Sequence, residues 1–144
     1  MLNADFNKLI INSHLLEDEF IEILKHEGDT VNIPVRDKSF SDYDFCINGI
    51  SYECKLDTNL TKNSTMFCEY KSRNIPSGIS ITKADYYCIK SLDDYYIIPV
   101  QYIKDLIKTN SFKSKLCGFK LYSDCYLIPS HHFIQFKLIN EIDF

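Results

Sequence analysis

Across residues 5–26 the apolar positions Phe6, Leu9, Ile10, Leu16, Phe20, Ile23 and Leu24 recur with three-and-four spacing. That period gathers side chains on one side of an α-helix. The pattern predicts an amphipathic helix closed by Gly28 as its C-terminal cap, with Asp18, Glu19 and Glu22 pointing away from the apolar arc. Glu17 breaks the pattern, because it falls inside the arc near Ile10 and Leu24. It is either a helix-edge carboxylate that reaches back to water or an acid aimed at a polar site.

Past Gly28 the period shortens to two. Val31-Asn32-Ile33-Pro34-Val35 reads as a short strand, which Pro34 confines to an edge or a strand end. Phe45-Cys46-Ile47 and Ile50 to Leu56 flank Asn48-Gly49, the strongest two-residue hairpin signal in the chain. A tight type I′ turn there pairs Ile47 with Ile50, Cys46 with Ser51, Phe45 with Tyr52, Asp44 with Glu53 and Asp42 with Lys55. Alternation then sends Phe45, Ile47, Tyr52, Cys54 and Leu56 to one face, and Asp42, Asp44, Glu53 and Lys55 to the other.

Downstream, Asp57 to Thr65 is polar and loop-like, and Met66 to Tyr70 reads as a strand. Pro76-Ser77-Gly78 marks a turn. Thr82-Lys83-Ala84-Asp85 reads as a capping-box variant that opens a helix through about Lys90. Tyr95 to Val100 predicts a strand, Gln101 to Lys108 a short helix, and Phe119 to Ile128 another strand. Ser77 and Thr82 read as turn or cap residues. Tyr86, Tyr87, Tyr95 and Tyr96 read as half-buried core, with base stacking as the alternative. This order of elements predicts one mixed α/β domain over residues 1–144.

Composition agrees with a single domain: 144 residues at 45% apolar content are enough for a proper core. The six cysteines are widely spaced, form no Cys-x-x-Cys pair and lie in apolar stretches, which predicts buried free thiols in a reducing compartment. No basic leader precedes an apolar run, and no stretch approaches the roughly 18 apolar residues of a membrane span, so a cytoplasmic protein without membrane attachment is expected. His131 and His132 have no Cys or carboxylate at ligand spacing and are assigned no role. A net charge of −4 excludes a broadly basic nucleic-acid-coating protein. From Lys55 to Lys83, however, five basic residues (Lys55, Lys62, Lys71, Arg73, Lys83) stand against two acids.

The hairpin carries the candidate chemistry. Two carboxylates opposed across a strand pair sit about 5 Å apart and repel unless a cation lies between them. Lys55 supplies one positive charge, and a hard divalent ion such as Mg²⁺ fits two carboxylates better, since it is commonly held by one or two of them plus water and phosphate oxygens. The plainer reading is a surface ion pair between Asp42 and Lys55 with the other acids solvated.

Asp44, followed after eight residues by Glu53-Cys54-Lys55, resembles the D…(E/D)-x-K signature of the PD-(D/E)XK nuclease superfamily, with Tyr43 where that signature has proline. Glu69, Ser77-Gly78-Ile79 and Thr82-Lys83-Ala84-Asp85-Tyr86 are similar to the E…SGI…T-x-AD-Y segment of small phage-type and bacterial members. Together the two stretches cover residues 42 to 90, about a third of the chain.

The resemblance implies a restriction-endonuclease-like core, a mixed β-sheet flanked by helices. It implies that Asp44 and Glu53 ligate Mg²⁺ or Mn²⁺, joined by the Cys54 carbonyl, and that Lys55 orients the attacking water or stabilises the developing charge. It makes Glu17 and Glu69 candidates for the wider catalytic site. Phosphate contacts are expected from Lys62, Lys71, Arg73 and Lys83, and from the amino end of the helix expected at Thr82. The function so implied is metal-dependent hydrolysis of DNA, compatible with structure-specific cutting of junctions or branched DNA and with a homodimer. The alternative is a catalytically inactive nuclease-fold module that binds nucleic acid or a protein partner.

Overall fold

The computed structural model describes residues 2–34 and 43–139, with the backbone alone for residues 2–12 and Phe119. The expected pairing of Asp42 with Lys55, and the side chains of Phe6, Leu9 and Ile10, lie outside the described residues.

The chain runs α1 (Leu2–Leu24), β1 (Val31–Asn32), β2 (Phe45–Ile47), β3 (Ile50–Leu56), α2 (Asn59–Lys62), β4 (Thr65–Ser72), β5 (Ile75–Pro76), β6 (Tyr86–Ser91), β7 (Asp94–Pro99), α3 (Val100–Thr109), β8 (Ser114–Cys117) and β9 (Ser123–Pro129). Two sheets form, a five-stranded one in the order β1-β2-β3-β6-β7 and a four-stranded one in the order β5-β4-β9-β8. Within the first, β3 and β6 pair parallel and the remaining neighbours antiparallel. The architecture is mixed α/β, as expected. No helix among the described residues is long and apolar enough to cross a membrane.

Each face of the five-stranded sheet is covered. Phe20 and Ile21 of α1 pack on Phe45, Ile47, Tyr52 and Cys88, and full burial of a ring such as Phe20 stabilises by roughly 1.5–3 kcal/mol. Ile21 takes the inward place expected of Ile23, which is exposed. Glu19 does not simply face water: Lys90 Nζ donates to both of its carboxylate oxygens, at 2.9 and 3.1 Å, and the Tyr95 hydroxyl bonds it as well. On the opposite face Tyr87, Ile89, Tyr96 and Ile98 meet Met66, Cys68 and Ile128 of the second sheet, with Ile103 of α3 closing the cluster. The four tyrosines therefore belong to the packed interior or its margin.

The hairpin has the expected register, with Ile47 opposite Ile50, Cys46 opposite Ser51 and Phe45 opposite Tyr52. Asn48 (φ 50°) and Gly49 (φ 85°) both have the positive φ of a type I′ turn. The Asn48 carboxamide accepts from Thr30 N–H at 3.0 Å and donates to Asp29 at 2.9 Å, which ties the turn to the loop after α1. A Cβ on Gly49 would meet nothing within 4 Å, so its substitution is purely a backbone matter. Gly49→Ala is expected to lower stability by about 1 kcal/mol in denaturant unfolding, without loss of fold.

Several expectations need correction. Residues 86–91 are the strand β6, not a helix opened at Thr82. They pair on both sides, with β3 and with β7. A run of aromatic, β-branched and small residues buried on two faces suits a central strand. The cap-like residues before it are engaged elsewhere. Thr82 Oγ1 accepts from Ala84 N–H at 3.2 Å, and Asp85 Oδ2 accepts from Ser51 N–H at 2.9 Å and from Ser51 Oγ at 3.1 Å.

The segment read as loop from Asp57 to Thr65 contains α2, pinned by Thr61 N–H to Ser91 Oγ at 2.8 Å. The last strand begins at Ser123 and has a partner, β8. Cys117 and Cys125, on that strand pair, form a disulfide, and the other four cysteines are free.

Candidate active site

The face of β3 that carries Glu53 and Lys55 is only partly open to water. Parallel pairing sets Glu53 beside Tyr87 and Lys55 beside Ile89, and both sides of that pairing look toward the second sheet. Asp44, Glu53, Cys54, Lys55 and Glu69 line one cavity of about 350 Å³, completed by Ser13 of α1 and by Gly78, Ile81 and Thr82 of the loop before β6.

Asp44 reaches this cavity by leaving the ladder. Its N–H donates to the Tyr52 carbonyl at 2.9 Å, the position already opposed by Phe45. Its Oδ2 accepts from Cys54 N–H at 2.7 Å. The expected cross-strand pair of Asp44 with Glu53 is thus replaced by a bulge-like step that re-aims the acid. The two carboxyls still converge on the same cavity.

Lys55 Nζ lies 3.4 Å from Glu53 Oε2 and 4.9 Å from the centroid of the Tyr87 ring. A ring under an ammonium favours the cation electrostatically, so Tyr87 helps fix where that charge sits. Burial pushes the Asp44 carboxyl above its ordinary pKa, against the pull of the Cys54 N–H and the Lys55 charge. Burial raises Glu53 too, opposed by Lys55 and reinforced by the negative charges of Asp44 and Glu69. The cavity is therefore short of positive charge once its acids ionise.

The wider candidates separate. Glu69 stands at the cavity. The cations that could have drawn it away are engaged elsewhere: Lys71 Nζ lies 3.8 Å from Asp124, and the Arg73 guanidinium lies 4.6 Å from the centre of the Tyr122 ring. Glu17 is buried and is not among the residues lining the cavity. The helix meets the cavity itself one turn earlier, at Ser13. Lys62 ends α2, exposed, and Lys83 is exposed beside Thr82 at the cavity's edge. With a strand at 86–91, no helix terminus near Thr82 faces a phosphate.

Two residues escaped sequence reasoning. Tyr87 becomes visible only through the parallel register that sets it beside Glu53. Asp57 is a further half-buried acid: its oxygens accept from Phe67 N–H at 2.8 Å and from Asn59 N–H at 3.0 Å, fixing the passage from β3 into β4. Its carboxyl is raised by burial against those bonds.

Among the described residues, no group of three or more His, Cys, Asp and Glu side chains is arranged to hold a metal ion. What the hairpin offers is a smaller donor set, two carboxylates on one cavity with room for water. That set suits Mg²⁺ or Mn²⁺, which retain several waters, and not a cation needing an all-protein cage. No family model, curated protein or solved structure was found to match the chain.

Proposed function

We propose that this protein is a metal-dependent nuclease that hydrolyses DNA phosphodiester bonds, built on a restriction-endonuclease-like core formed by α1 and the five-stranded sheet. The observation that carries the reading is the convergence of Asp44, Glu53 and Lys55 in one cavity where burial leaves the acids in need of a cation. Two half-buried, mutually repelling carboxyls beside an ordered lysine are costly to a purely structural domain.

Asp44 and Glu53 would hold the ion, with the Cys54 carbonyl as a further donor. Mg²⁺ or Mn²⁺ bound there lowers the pKa of water and neutralises phosphate oxygens. Lys55, steadied by Glu53 and Tyr87, orients the attacking water and stabilises negative charge as the phosphorus–oxygen bond to the leaving group breaks. Glu69 limits how that water is placed, and Lys83 and Lys62 are available to the substrate backbone.

Incubation of supercoiled and branched DNA with the protein in Mg²⁺ or Mn²⁺ tests the reading. Cleavage that EDTA suppresses is the expected result. Binding without cleavage in either metal would instead favour an inactive nuclease-fold module.

A second measurement needs no substrate. Both carboxyls have folded-state pKa values raised above their unfolded values. The stability they contribute is therefore lost as pH rises from the ordinary carboxylate range, about 4, through the raised folded values. Above that window the metal-free protein carries two mutually repelling, half-buried charges. There, Asp44→Asn should unfold at a higher temperature than the metal-free wild type, and Mn²⁺ should raise the wild-type midpoint while leaving the variant's unchanged. Below the window, variant and wild type should converge.

A further inference from the structure

Lys55 and Glu69 belong to two cavities at once. Besides the one that holds Asp44 and Glu53, they help line a second of about 390 Å³ between the sheets, within the roughly 300–1,000 Å³ of small-molecule pockets. Beyond that shared wall the lining carries one further acid, Asp57. Its two oxygens already accept main-chain N–H groups. The rest of the wall is mostly apolar and holds two aromatic residues, buried Tyr87 and half-buried Phe67, and its polar groups are the Thr58 and Ser123 hydroxyls and the Asn59 carboxamide. The Asn59 oxygen accepts from Asn63, which leaves its NH₂ as the donor. At the cavity's β8–β9 end, Gly118 presents no side chain beside Ser123 Oγ, which a Cβ there would approach to 3.5 Å.

A phosphate would find no cation in this cavity beyond Lys55, whose ammonium lies 3.4 Å from Glu53. A flat, neutral heteroaromatic group with donors and acceptors on its rim fits the lining: one face against Phe67, the edge toward Thr58, Asn59 and Ser123. We infer that the second cavity receives an unpaired nucleobase of the strand whose phosphate lies at Asp44 and Glu53, so that the substrate class is DNA with an extruded or unpaired nucleotide beside the scissile bond. This rests on the nuclease reading of the adjoining cavity. It adds a base-binding subsite reached past Lys55 and Glu69.

Equilibrium binding in EDTA separates this inference from catalysis. Labelled duplexes with one unpaired nucleotide should bind wild type about tenfold more tightly than fully paired duplexes, the discrimination that one stacked base supplies. Ser123→Leu, which narrows the cavity and removes a rim hydroxyl, and Phe67→Leu, which removes the aromatic ring but keeps an apolar side chain, should each bring the two affinities within about twofold and leave the paired duplex unaffected. Competition by free dTMP would mark a site open to free nucleotides, and failure to compete would mark one for a base carried on the strand. A wild-type ratio near one, or a ratio that survives Ser123→Leu, overturns the inference even if the protein cuts DNA in Mg²⁺. Discrimination without cleavage would leave the subsite standing and overturn the nuclease reading instead.

Discussion

Asp44→Asn and Lys55→Ala are each expected to reduce Mg²⁺-dependent DNA cleavage by about 10²–10³-fold or more while leaving DNA affinity and far-UV circular dichroism unchanged. Asn can still accept the Cys54 N–H that Asp44 Oδ2 accepts at 2.7 Å, so the bulge-like step before β2 survives the exchange. What disappears is the negative charge. Lys55→Ala removes the ammonium that lies 3.4 Å from Glu53 and above Tyr87, and Lys55→Arg should restore little, because a planar guanidinium cannot take up the same compact position. Glu69→Gln should lose less activity than Asp44→Asn, since Glu69 reaches the cavity from the second sheet and not from the hairpin. Equal cleavage by Asp44→Asn and wild type in a time course at saturating Mg²⁺ would end the nuclease reading.

The largest effect on stability is expected from Gly78→Ala. A Cβ at this position would stand 2.2 Å from the Glu69 carbonyl oxygen and 2.9 Å from its carbon. Both are main-chain atoms of a paired strand and have nowhere to move, and φ at Gly78 is +52°, a region that also disfavours alanine. The surrounding loop is held to β4 by Ser77 N–H to the Tyr70 carbonyl at 3.1 Å and by Ser80 Oγ to the same oxygen at 2.7 Å. The substitution must break these contacts or shift β4. Overpacking and backbone strain together predict a loss of about 3 kcal/mol, measurable as a lower denaturant midpoint with an unchanged slope. Because Glu69, Ile81 and Thr82 line the cavity beside this contact, whatever folded protein remains should bind Mn²⁺ more weakly.

How far the fold could be read in advance depended on whether the determinants were local. The hairpin register followed from Asn48-Gly49, because only a few residue pairs accept positive φ twice in succession. The Arg73–Asn74 turn between β4 and β5 has the same positive φ at both positions, but its residues carry no comparable signal. The long period of α1 and the apolar runs of β7 and α3 declared themselves in the same local way.

Strand β6 did not, because Thr82 and Asp85 have the spacing of helix caps and nothing nearby discloses that Ser51, 34 residues before Asp85, is the group Asp85 binds. The site was legible to a similar depth. Asp44, Glu53 and Lys55, which line one cavity, stand close together in the sequence at the hairpin. That a second sheet covers their face, raising the acids and creating the cavity beyond Lys55, depends on the pairing of β4 with β9 and was invisible locally. The disulfide between Cys117 and Cys125 escaped for the same reason: β8 had not been recognised as the strand that brings them together.

Asp44, Glu53 and Lys55 all lie within a stretch of twelve consecutive residues fastened by its own turn. Insertions at exposed bends far from it, such as Arg73–Asn74 or Leu92–Asp93, would lengthen the molecule without changing the separation of those three groups.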